Sequence, residues 1–339
     1  MELGILISDV PRSWGAKKQF DSLLRQVEAA QRNGFTYITI GQHFLYGDLT
    51  WLQPVPVLAR LAAEVDPKVR LVTTILIAPL YNPVILAEEL ATLDVVTEGR
   101  LTVGLALGYR TEEFTYLGVP REERVARFEE ALELMRKIWT DETVDHDGTY
   151  FQVPNAQPHI RPWQEPHPPL GLGGFSPRSV RRAGRLGDRW AIPPEIEVED
   201  AHRLLGLFFE EQAKRGRPRT HQPFRRNVFL GADRQEAVQA FIHAARDRYV
   251  AYAQRGLDLY DPAELERDFV ATTGKHAVLG SPDEVVEQLA ALAAELPIDP
   301  IVIRPGWPTL EPDEIVACLD AFGGDVVPAL KAIEPMPLA

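Results

Sequence analysis

The sequence predicts an α/β protein with the architecture of a (β/α)₈ TIM barrel. Short apolar runs that suit parallel strands alternate with amphipathic helical runs along the 339 residues. No composition break interrupts this alternation, so we expect a single domain over residues 1–339. A doubly wound sheet is the alternative, and it is favoured less because no Gly-x-Gly-x-x-Gly motif follows the first apolar run.

Eight runs of strand length carry this prediction. The third is apolar or β-branched at nearly every position, as expected for a strand that is buried on both faces. The predicted strands are residues 3–8, 36–40, 69–77, 101–107, 169–172, 189–192, 225–230 and 301–304.

Capping signals mark several helix ends. Gly34 ends the first helix, and Asn82 with Pro83 begins another. Ser281 and Glu284 have the spacing of a capping box. Apolar residues follow no clear period in two segments, residues 140–168 and residues 247–280. The first of these has room for a short hairpin. We expect both to be insertions at the C-terminal edge of the barrel, where they would cover its mouth and select the substrate.

Composition excludes several classes of function. The chain has 36 Lys and Arg against 49 Asp and Glu, a net charge of −13, which argues against nucleic-acid binding. No apolar run approaches the roughly 20 residues of a membrane span, and no signal peptide is visible, so we expect a cytoplasmic protein. The one cysteine, Cys318, lies in an apolar helical run, where a buried thiol is expected rather than a disulfide or metal ligand.

A glycine loop follows the fifth predicted strand. Gly173 and Gly174 let backbone approach a ligand closely, and Ser176 with Pro177 begins a helix. The unpaired N–H groups and positive dipole end of a helix N-terminus favour an anion. The loop therefore predicts a phosphate-binding site.

His43 is the histidine that directly follows a predicted strand, the second. Catalytic groups of such barrels lie at the C-terminal ends of strands, and imidazole suits proton transfer at neutral pH, so we expect His43 to be catalytic rather than a packed histidine. The other histidines are dispersed, which predicts no metal site. No Gly-x-Ser-x-Gly motif is present, and Asp94, in an apolar run, is expected to be a buried structural group.

Taken together, these motifs resemble the bacterial luciferase-like family of flavin-dependent monooxygenases and reductases over essentially the whole chain. The segments that carry the resemblance, in order, are Gly34-Phe35, Asn82-Pro83-Val84, Thr92-Leu93-Asp94, Gly99-Arg100-Leu101, Gly108 to Phe114 with Leu117-Gly118-Val119, Gly173-Gly174-Phe175-Ser176, Arg182-Ala183 and Leu186-Gly187-Asp188.

The resemblance implies a barrel that binds FMN or the deazaflavin F420 at its C-terminal edge. It implies that Gly173, Gly174, Phe175 and Ser176 hold the cofactor phosphate, and that a non-proline cis peptide joins two other cofactor contacts. It further implies that the protein is an enzyme, a flavin-dependent oxidoreductase. The remaining cofactor contacts that it implies are Thr74 and Ile75, joined by that cis bond, with Gln42, Gly108 and Tyr109.

Three positions depart from the family pattern: Gln42, Phe44 and Ala106. Gln42-His43-Phe44 stands where luciferases commonly have Glu-His-His, and F420-dependent relatives often have an Asp-His pair at this place. Ala106 stands where luciferases proper have a reactive cysteine, so we expect no light emission.

The resemblance implies two candidate reactions. The first, which we favour, is monooxygenation of a small organic substrate with O₂ and reduced FMN from a separate flavin reductase. The second is F420-dependent hydride transfer with His43 as proton partner. A flavin-binding protein without turnover and a barrel hydrolase are the remaining alternatives, and a homodimer is compatible with the sequence. The expected pocket residues are Phe44, Tyr46, Trp51, Tyr109 and Trp307 as apolar walls, with Arg304 for an anionic group.

Overall fold

The computed structural model of the protein describes residues 1–254 and 260–338. Strands and helices alternate throughout this part of the chain, as the sequence predicts. The strands are β1 (Leu3–Ile7), β2 (Val10–Pro11), β3 (Tyr37–Ile40), β4 (Leu49–Thr50), β5 (Arg70–Ile77), β6 (Leu101–Ala106), β7 (Val144–Asp147), β8 (Gln152–Ala156), β9 (Leu170–Gly173), β10 (Arg189–Ala191), β11 (Gln222–Leu230), β12 (Ala277–Gly280) and β13 (Ile298–Ile303).

Eight parallel strands form the barrel, in the order β1, β3, β5, β6, β9, β10, β11, β13 and back to β1. A bridge between Ile192 and Phe224 joins β10 to β11 and closes the ring. These strands are the eight that the sequence predicts, with ends that differ by a few residues. The (β/α)₈ barrel is therefore confirmed.

The helices cover the outside of this barrel. Their capping follows the sequence signals: Asn82 accepts hydrogen bonds from Val84 and Ile85, Ser281 and Glu284 form a reciprocal capping box, and Gly34 has a φ of +83°. The α-helices are α1 (Gly15–Arg32), α2 (Pro54–Leu61), α3 (Pro83–Val96), α4 (Thr111–Tyr116), α5 (Arg124–Thr140), α6 (Pro177–Leu186), α7 (Val198–Lys214), α8 (Arg234–Gln254), α9 (Pro262–Arg267), α10 (Phe269–Thr273), α11 (Pro282–Glu295), α12 (Pro312–Ala321) and α13 (Val327–Lys331).

The expected position of the first insertion, residues 140–168, is wrong. The segment does contain a hairpin, β7 with β8, but it connects the end of α5 to the start of β9. A connection from a helix to the next strand returns to the N-terminal edge of a barrel. Gln164 accordingly donates to the carbonyl of Leu101, at the start of β6, and to the buried carboxylate of Asp94. This contact confirms Asp94 as a structural group, and the segment cannot cover the C-terminal mouth.

The second expected insertion, residues 247–280, begins inside a continuous helix. Helix α8 runs without a break to Gln254, because the run from Ala244 onward keeps a helical period. The segment also supplies β12, which pairs with the second half of β11 and was not predicted. Its residues 255–259 lie outside the described residues. The described part does lie at the C-terminal edge, since Arg248 contacts Asp9 just beyond β1.

The prediction that the third barrel strand is buried on both faces is partly wrong. Leu71, Thr73 and Leu76 of β5 are buried against the helices and neighbouring strands. Val72 and Thr74, on the other face, are only half-buried, because that face borders a cavity inside the barrel. The main hydrophobic core therefore lies between the barrel and its helices, and a second, smaller core lies around Phe241 of α8.

Candidate functional site

A histidine and a buried glutamate contact each other at the C-terminal edge of the barrel. His43 follows β3, and its Nδ1 lies 2.9 Å from Oε1 of Glu113, in the first turn of α4 after β6. The same carboxylate oxygen accepts a hydrogen bond of 2.8 Å from the backbone N–H of Phe44. Arg110 approaches that oxygen to 3.7 Å and donates to the carbonyl of Phe44. Glu113 is fully buried, and His43 keeps 12% of its side chain exposed, so the ring is held in a fixed orientation and stays accessible.

Four aromatic rings surround the imidazole of His43. Their centroids lie 4.8 Å (Trp51), 4.9 Å (Tyr46), 5.7 Å (Tyr109) and 6.3 Å (Tyr252) from that of His43. Burial raises the pKa of Tyr109 above its usual value, and the neighbouring Tyr46 adds to this shift. The phenol of Tyr109 therefore stays protonated. The structure thus brings Tyr46, Trp51 and Tyr109, three of the residues that the sequence predicted as apolar walls, next to His43.

Gln42 positions the backbone around the site. Its amide nitrogen donates to Gln53 at 2.8 Å and to the hydroxyl of Tyr81, and its amide oxygen accepts from the N–H of Ile77 at 3.0 Å. Gln53 in turn donates to the carbonyl of His43. The side chain that sequence reasoning offered as a cofactor contact thus makes three hydrogen bonds within the protein and ties the end of β3 to the end of β5.

A second charged cluster lies beside the aromatic rings. Asp9, just after β1, accepts hydrogen bonds from Arg304 at 2.8 Å, from Ser8 at 2.8 Å and from Arg248. Burial opposes ionisation of this carboxyl, but Arg248 and Arg304 together outweigh it and hold the pKa of Asp9 below its usual value. Burial lowers the pKa of Arg248 to about 10, so its guanidinium stays charged at neutral pH. The three side chains carry a net charge of +1.

Trp51 joins the two clusters. Its ring contacts His43, its indole N–H donates to Ser8 at 3.3 Å, and the guanidinium of Arg248 lies 5.4 Å from its ring centroid. The predicted pocket residues are therefore divided between the clusters. Trp51 belongs to both, Arg304 lies with Asp9, and Phe44 lies beside the ring of Tyr81 at 6.3 Å.

Trp307, the last of the predicted pocket residues, belongs to a different cluster from the rings around His43. It is buried in the smaller core against Phe229, and its ring is covered by the guanidinium of Arg304 at 4.1 Å. Its contact with the site thus runs through Arg304 rather than through His43.

The peptide bond between Thr74 and Ile75 is cis, as the family resemblance implies. The register between β5 and β6 shifts at this point, between Thr73 and Leu76. Two glycines let neighbouring strands approach the bond. A Cβ atom on Gly173 would lie 2.3 Å from Cδ1 of Ile75, and one on Gly41 would lie 3.2 Å from the carbonyl oxygen of Thr74. Any larger residue at Gly173 would displace Ile75.

The glycine loop leads from β9 into α6 as predicted. Ser176 caps the helix and forms a reciprocal capping box with Ser179, with Pro177 at the first helical position. Gly174 has a φ of +146°, which favours glycine, and its carbonyl accepts from the indole of Trp190 at 2.7 Å. Phe175 and Ser176 are exposed. The loop therefore presents a rigid helix N-terminus that suits a phosphate.

Gly108 and Tyr109 follow β6 on the same edge. Gly108 has a φ of +77°, and a Cβ atom there would lie 2.6 Å from Ile77. The backbone can make this turn only with glycine, and the turn directs the ring of Tyr109 towards His43.

Sequence reasoning missed Glu113, Asp9, Arg248 and Tyr252. The signal for Glu113 was its place next to the buried Phe114 in the segment that carries the resemblance, although the other glutamates of that region lie on solvated faces. The signal for Asp9 was its place at the end of the first strand. Arg248 and Tyr252 had no such signal, because their positions on α8 depend on how that helix packs over the barrel.

The described residues contain neither a metal-binding cluster nor a membrane-spanning helix. Across residues 1–254 and 260–338, no group of three or more His, Cys, Asp or Glu side chains is placed to hold a metal ion. Within the same ranges, no helix has the length and apolar character needed to cross a membrane.

Comparison with known proteins gives a consistent result. The family model described as luciferase-like monooxygenase matches residues 1–299. The oxygenase component of the flavin-dependent trigonelline monooxygenase of Acinetobacter baylyi is 25% identical over 298 residues, 82% of this chain and 81% of that protein.

Solved structures show the same fold. Monooxygenase RslO1 from Streptomyces bottropensis superposes with a TM-score of 0.85 at 27% identity, over 97% of this chain and 99% of that one. The oxygenating constituent of 3,6-diketocamphane monooxygenase from Pseudomonas putida, in complex with FMN, gives a TM-score of 0.82 at 18% identity, over 99% and 100%. An F420-dependent secondary alcohol dehydrogenase gives a TM-score of 0.78 at 21% identity, over 97% of this chain and 98% of that one.

Proposed function

The chain belongs to the luciferase-like monooxygenase family, whose members are flavin- or F420-dependent oxidoreductases, and from this premise we propose that it is a monooxygenase. It would use reduced FMN and O₂ on a small organic substrate. The observation that carries the proposal is the His43–Glu113 pair inside a cage of aromatic rings, on the same barrel edge as the glycine loop. The similarity to RslO1 and to the trigonelline oxygenase supports it.

The residues present fit a flavin. Gly173, Gly174, Phe175 and Ser176 would hold the phosphate through the N-terminus of α6, and Thr74 with Ile75 would contact the ring system, next to the space that Gly173 keeps free. Reduced FMN supplies the electrons that activate O₂. Fixed side chains around the site keep it dry, which protects reactive species from water.

His43 would move the proton. Its Nδ1 is held by Glu113, so the Nε2 atom is directed away from that carboxylate and is available to a substrate oxygen. Glu113 is a positioning residue, since it is fully buried and acts through His43. Asp9, Arg248 and Arg304 together carry a net charge of +1. This charge would favour an anionic or strongly polarised group of the substrate or cofactor.

F420-dependent hydride transfer is the second candidate. The observation that favours it is the same His43–Glu113 pair, because protonation of a carbonyl oxygen during hydride transfer needs a fixed acid beside the substrate. O₂ distinguishes the two reactions: monooxygenation consumes it, and hydride transfer proceeds without it.

An oxygen-labelling experiment tests the proposal. The protein is mixed with NADH, FMN, a separate flavin reductase and a panel of small ketones and heteroaromatic acids under ¹⁸O₂. We expect a product that carries one ¹⁸O atom and that forms only when the reductase is present, which would also support the reductase as a partner. A product that forms without O₂ from reduced F420 would support the second candidate instead.

A homodimer remains part of the proposal. Helix α3 exposes three large apolar side chains, Ile85, Val95 and Val96, which are 58%, 43% and 47% exposed, alongside Glu88, Glu89 and Thr92. Exposed apolar side chains that are rimmed by polar ones are typical of protein–protein contacts. Sedimentation analysis of wild type and Ile85→Glu would test this, with a dimer expected for the first and a monomer for the second.

A further inference from the structure

The lower half of the barrel holds a cavity of about 540 Å³, whose lining includes neither His43 nor the aromatic rings around it. It extends from Tyr37 and Arg70, at the starts of their strands, up to Thr74 and Ile75. Barrel interiors of this class are normally filled by layers of bulky branched side chains. Here small residues line the space, and its volume lies in the range of small-molecule sites, roughly 300–1,000 Å³. The small lining residues are Thr39, Val72, Thr102, Gly104, Gly171 and Ala191.

Gly171 shows that the open space is not a requirement of backbone packing. Gly104, one strand away, must be glycine because a Cβ atom there would lie 2.1 Å from the carbonyl oxygen of Thr73. A Cβ atom on Gly171 would meet nothing closer than 4.0 Å, and its φ lies outside the left-handed region. A larger side chain at Gly171 is therefore sterically allowed and would extend into the cavity. The fold would therefore tolerate another residue at position 171, but only glycine leaves the cavity fully open.

Two side chains of the lining have a buried polar atom without a hydrogen-bond partner among the described residues, Nε of Arg225 and Oγ1 of Thr39. Arg225 lines the cavity with 31% of its side chain exposed, and its ion partner, Glu195, lies 3.6 Å away. Arg70, at the lower rim, has one long contact in the described part of the chain, 3.4 Å to Gln164. Because a guanidinium can only donate, these two arginines call for an acceptor on the ligand.

The acidic groups near the cavity already have partners. Asp299 accepts a hydrogen bond of 2.7 Å from the backbone N–H of Glu2, and the carboxylate of Glu2 accepts from the hydroxyl of Thr36. Arg189, the third lining arginine, donates to Thr220 at 2.9 Å. The arginines of the lining thus outnumber its one carboxylate, in a protein with a net charge of −13. An anionic head group fits this balance better than a neutral one.

Apolar side chains, including Val72, Ile75, Ile192 and Val302, form much of the remaining wall, between several threonine hydroxyls and the ring of His221. We propose that the cavity binds an organic carboxylate with a short apolar body, its head group held by the lining arginines. The ligand would enter from the N-terminal edge, and the upper end of the cavity would reach Thr74 and Ile75, which border the proposed flavin site. The inference uses no step of the proposed reaction.

Calorimetric titration of the full-length protein with three probes of equal chain length tests the ligand class. Octanoate should bind, 1-octanol should bind at least about tenfold more weakly because it lacks the charge-assisted hydrogen bonds, and octylamine should give no measurable binding. No binding of octanoate, or equal binding of octanoate and 1-octanol, would overturn the proposal.

Two variants test the location. Gly171→Leu fills the cavity and should abolish octanoate binding while the affinity for FMN stays unchanged, and Gly206→Ala, where no atom lies within 4 Å of the new Cβ, is the matched control. Arg70→Gln removes one charge at the rim of the cavity and leaves the core unfilled. It therefore tests the location of the site even if Gly171→Leu does not fold. It should weaken octanoate several-fold and leave 1-octanol unchanged, with the exposed Arg203→Gln as control. Wild-type octanoate affinity in folded Gly171→Leu or in Arg70→Gln would refute the site.

Discussion

The imidazole Nδ1 of His43 lies 2.9 Å from a carboxylate oxygen of Glu113, seventy residues later in the chain, and that carboxylate is completely buried. Burying a carboxylate is costly unless partners compensate it. His43, the N–H of Phe44 and Arg110 supply those partners. The pair therefore fixes both the position and the orientation of the one histidine at the centre of the aromatic cage.

Glu113→Gln should reduce turnover by about 10- to 100-fold, because the histidine loses the charge that supports its protonated form during the reaction. The amide oxygen of Gln can still accept from the N–H of Phe44, so the fold and the affinity for flavin should change little. Steady-state kinetics with a flavin titration measures both. Glu112→Gln, at the exposed neighbouring position, is the control, and an equal loss in that variant would contradict the role of Glu113.

Much of the fold was predictable because its signals are local. All eight barrel strands follow from apolar runs, and Asn82, Ser176 and Ser281 mark helix starts through bonds that span three residues. The site was predictable only in part. His43 was found from its strand end, whereas its partner Glu113 is a contact between distant segments, which no local pattern encodes.

Ser176→Ala should weaken binding of FMN more than binding of riboflavin, since riboflavin lacks the phosphate. The capping hydroxyl accepts from the N–H of Ser179, and its loss loosens the N-terminus of α6 at a cost of roughly 1 kcal/mol. Fluorescence titration with both flavins gives the ratio. An equal loss of affinity for FMN and for riboflavin would show that this loop does not bind the phosphate.

Gly173→Ala should lower the free energy of unfolding by about 1–3 kcal/mol and reduce flavin affinity, because its new methyl group would overlap Ile75 beside the cis peptide. Gly206→Ala introduces a methyl group into free space and should be neutral or slightly stabilising. Chemical denaturation with and without FMN compares the two. If Gly173→Ala bound flavin with wild-type affinity, the end of β9 would not be a cofactor contact.

Acid should destabilise the protein through His276. Burial, and then the charges of Lys275 and Arg226, lower its pKa to about 4, while Glu197 acts in the opposite direction and the hydroxyl of Tyr260 lies 2.9 Å from its Nδ1. A histidine whose pKa is lower in the folded state contributes stability that is complete above its unfolded pKa, about 6.5. That contribution, on the order of 2 kcal/mol, is lost as the pH falls from about 6.5 to about 4.

Replacement of the ring tests this account. His276→Gln should show a smaller loss of stability than wild type between those two pH values in urea unfolding, and the exposed His202→Gln should behave like wild type. An identical acid sensitivity in His276→Gln and wild type would assign the effect to other groups.

What could not be predicted has a common physical origin. The position of residues 140–168 at the N-terminal edge depends on the direction of the connection from α5 to β9. Arg248 reaches Asp9 only because α8 continues to Gln254 and packs over the end of β1. Both are consequences of tertiary packing, whereas the capping and strand signals act within a few residues of the chain.

The most direct test of the central claim is an anaerobic titration of the purified protein with reduced FMN and with F420, followed by fluorescence. A monooxygenase of the kind proposed should bind reduced FMN and leave F420 unbound at the same concentrations. Tight binding of F420 without binding of reduced FMN would contradict the proposed reaction and would establish hydride transfer as the function to pursue.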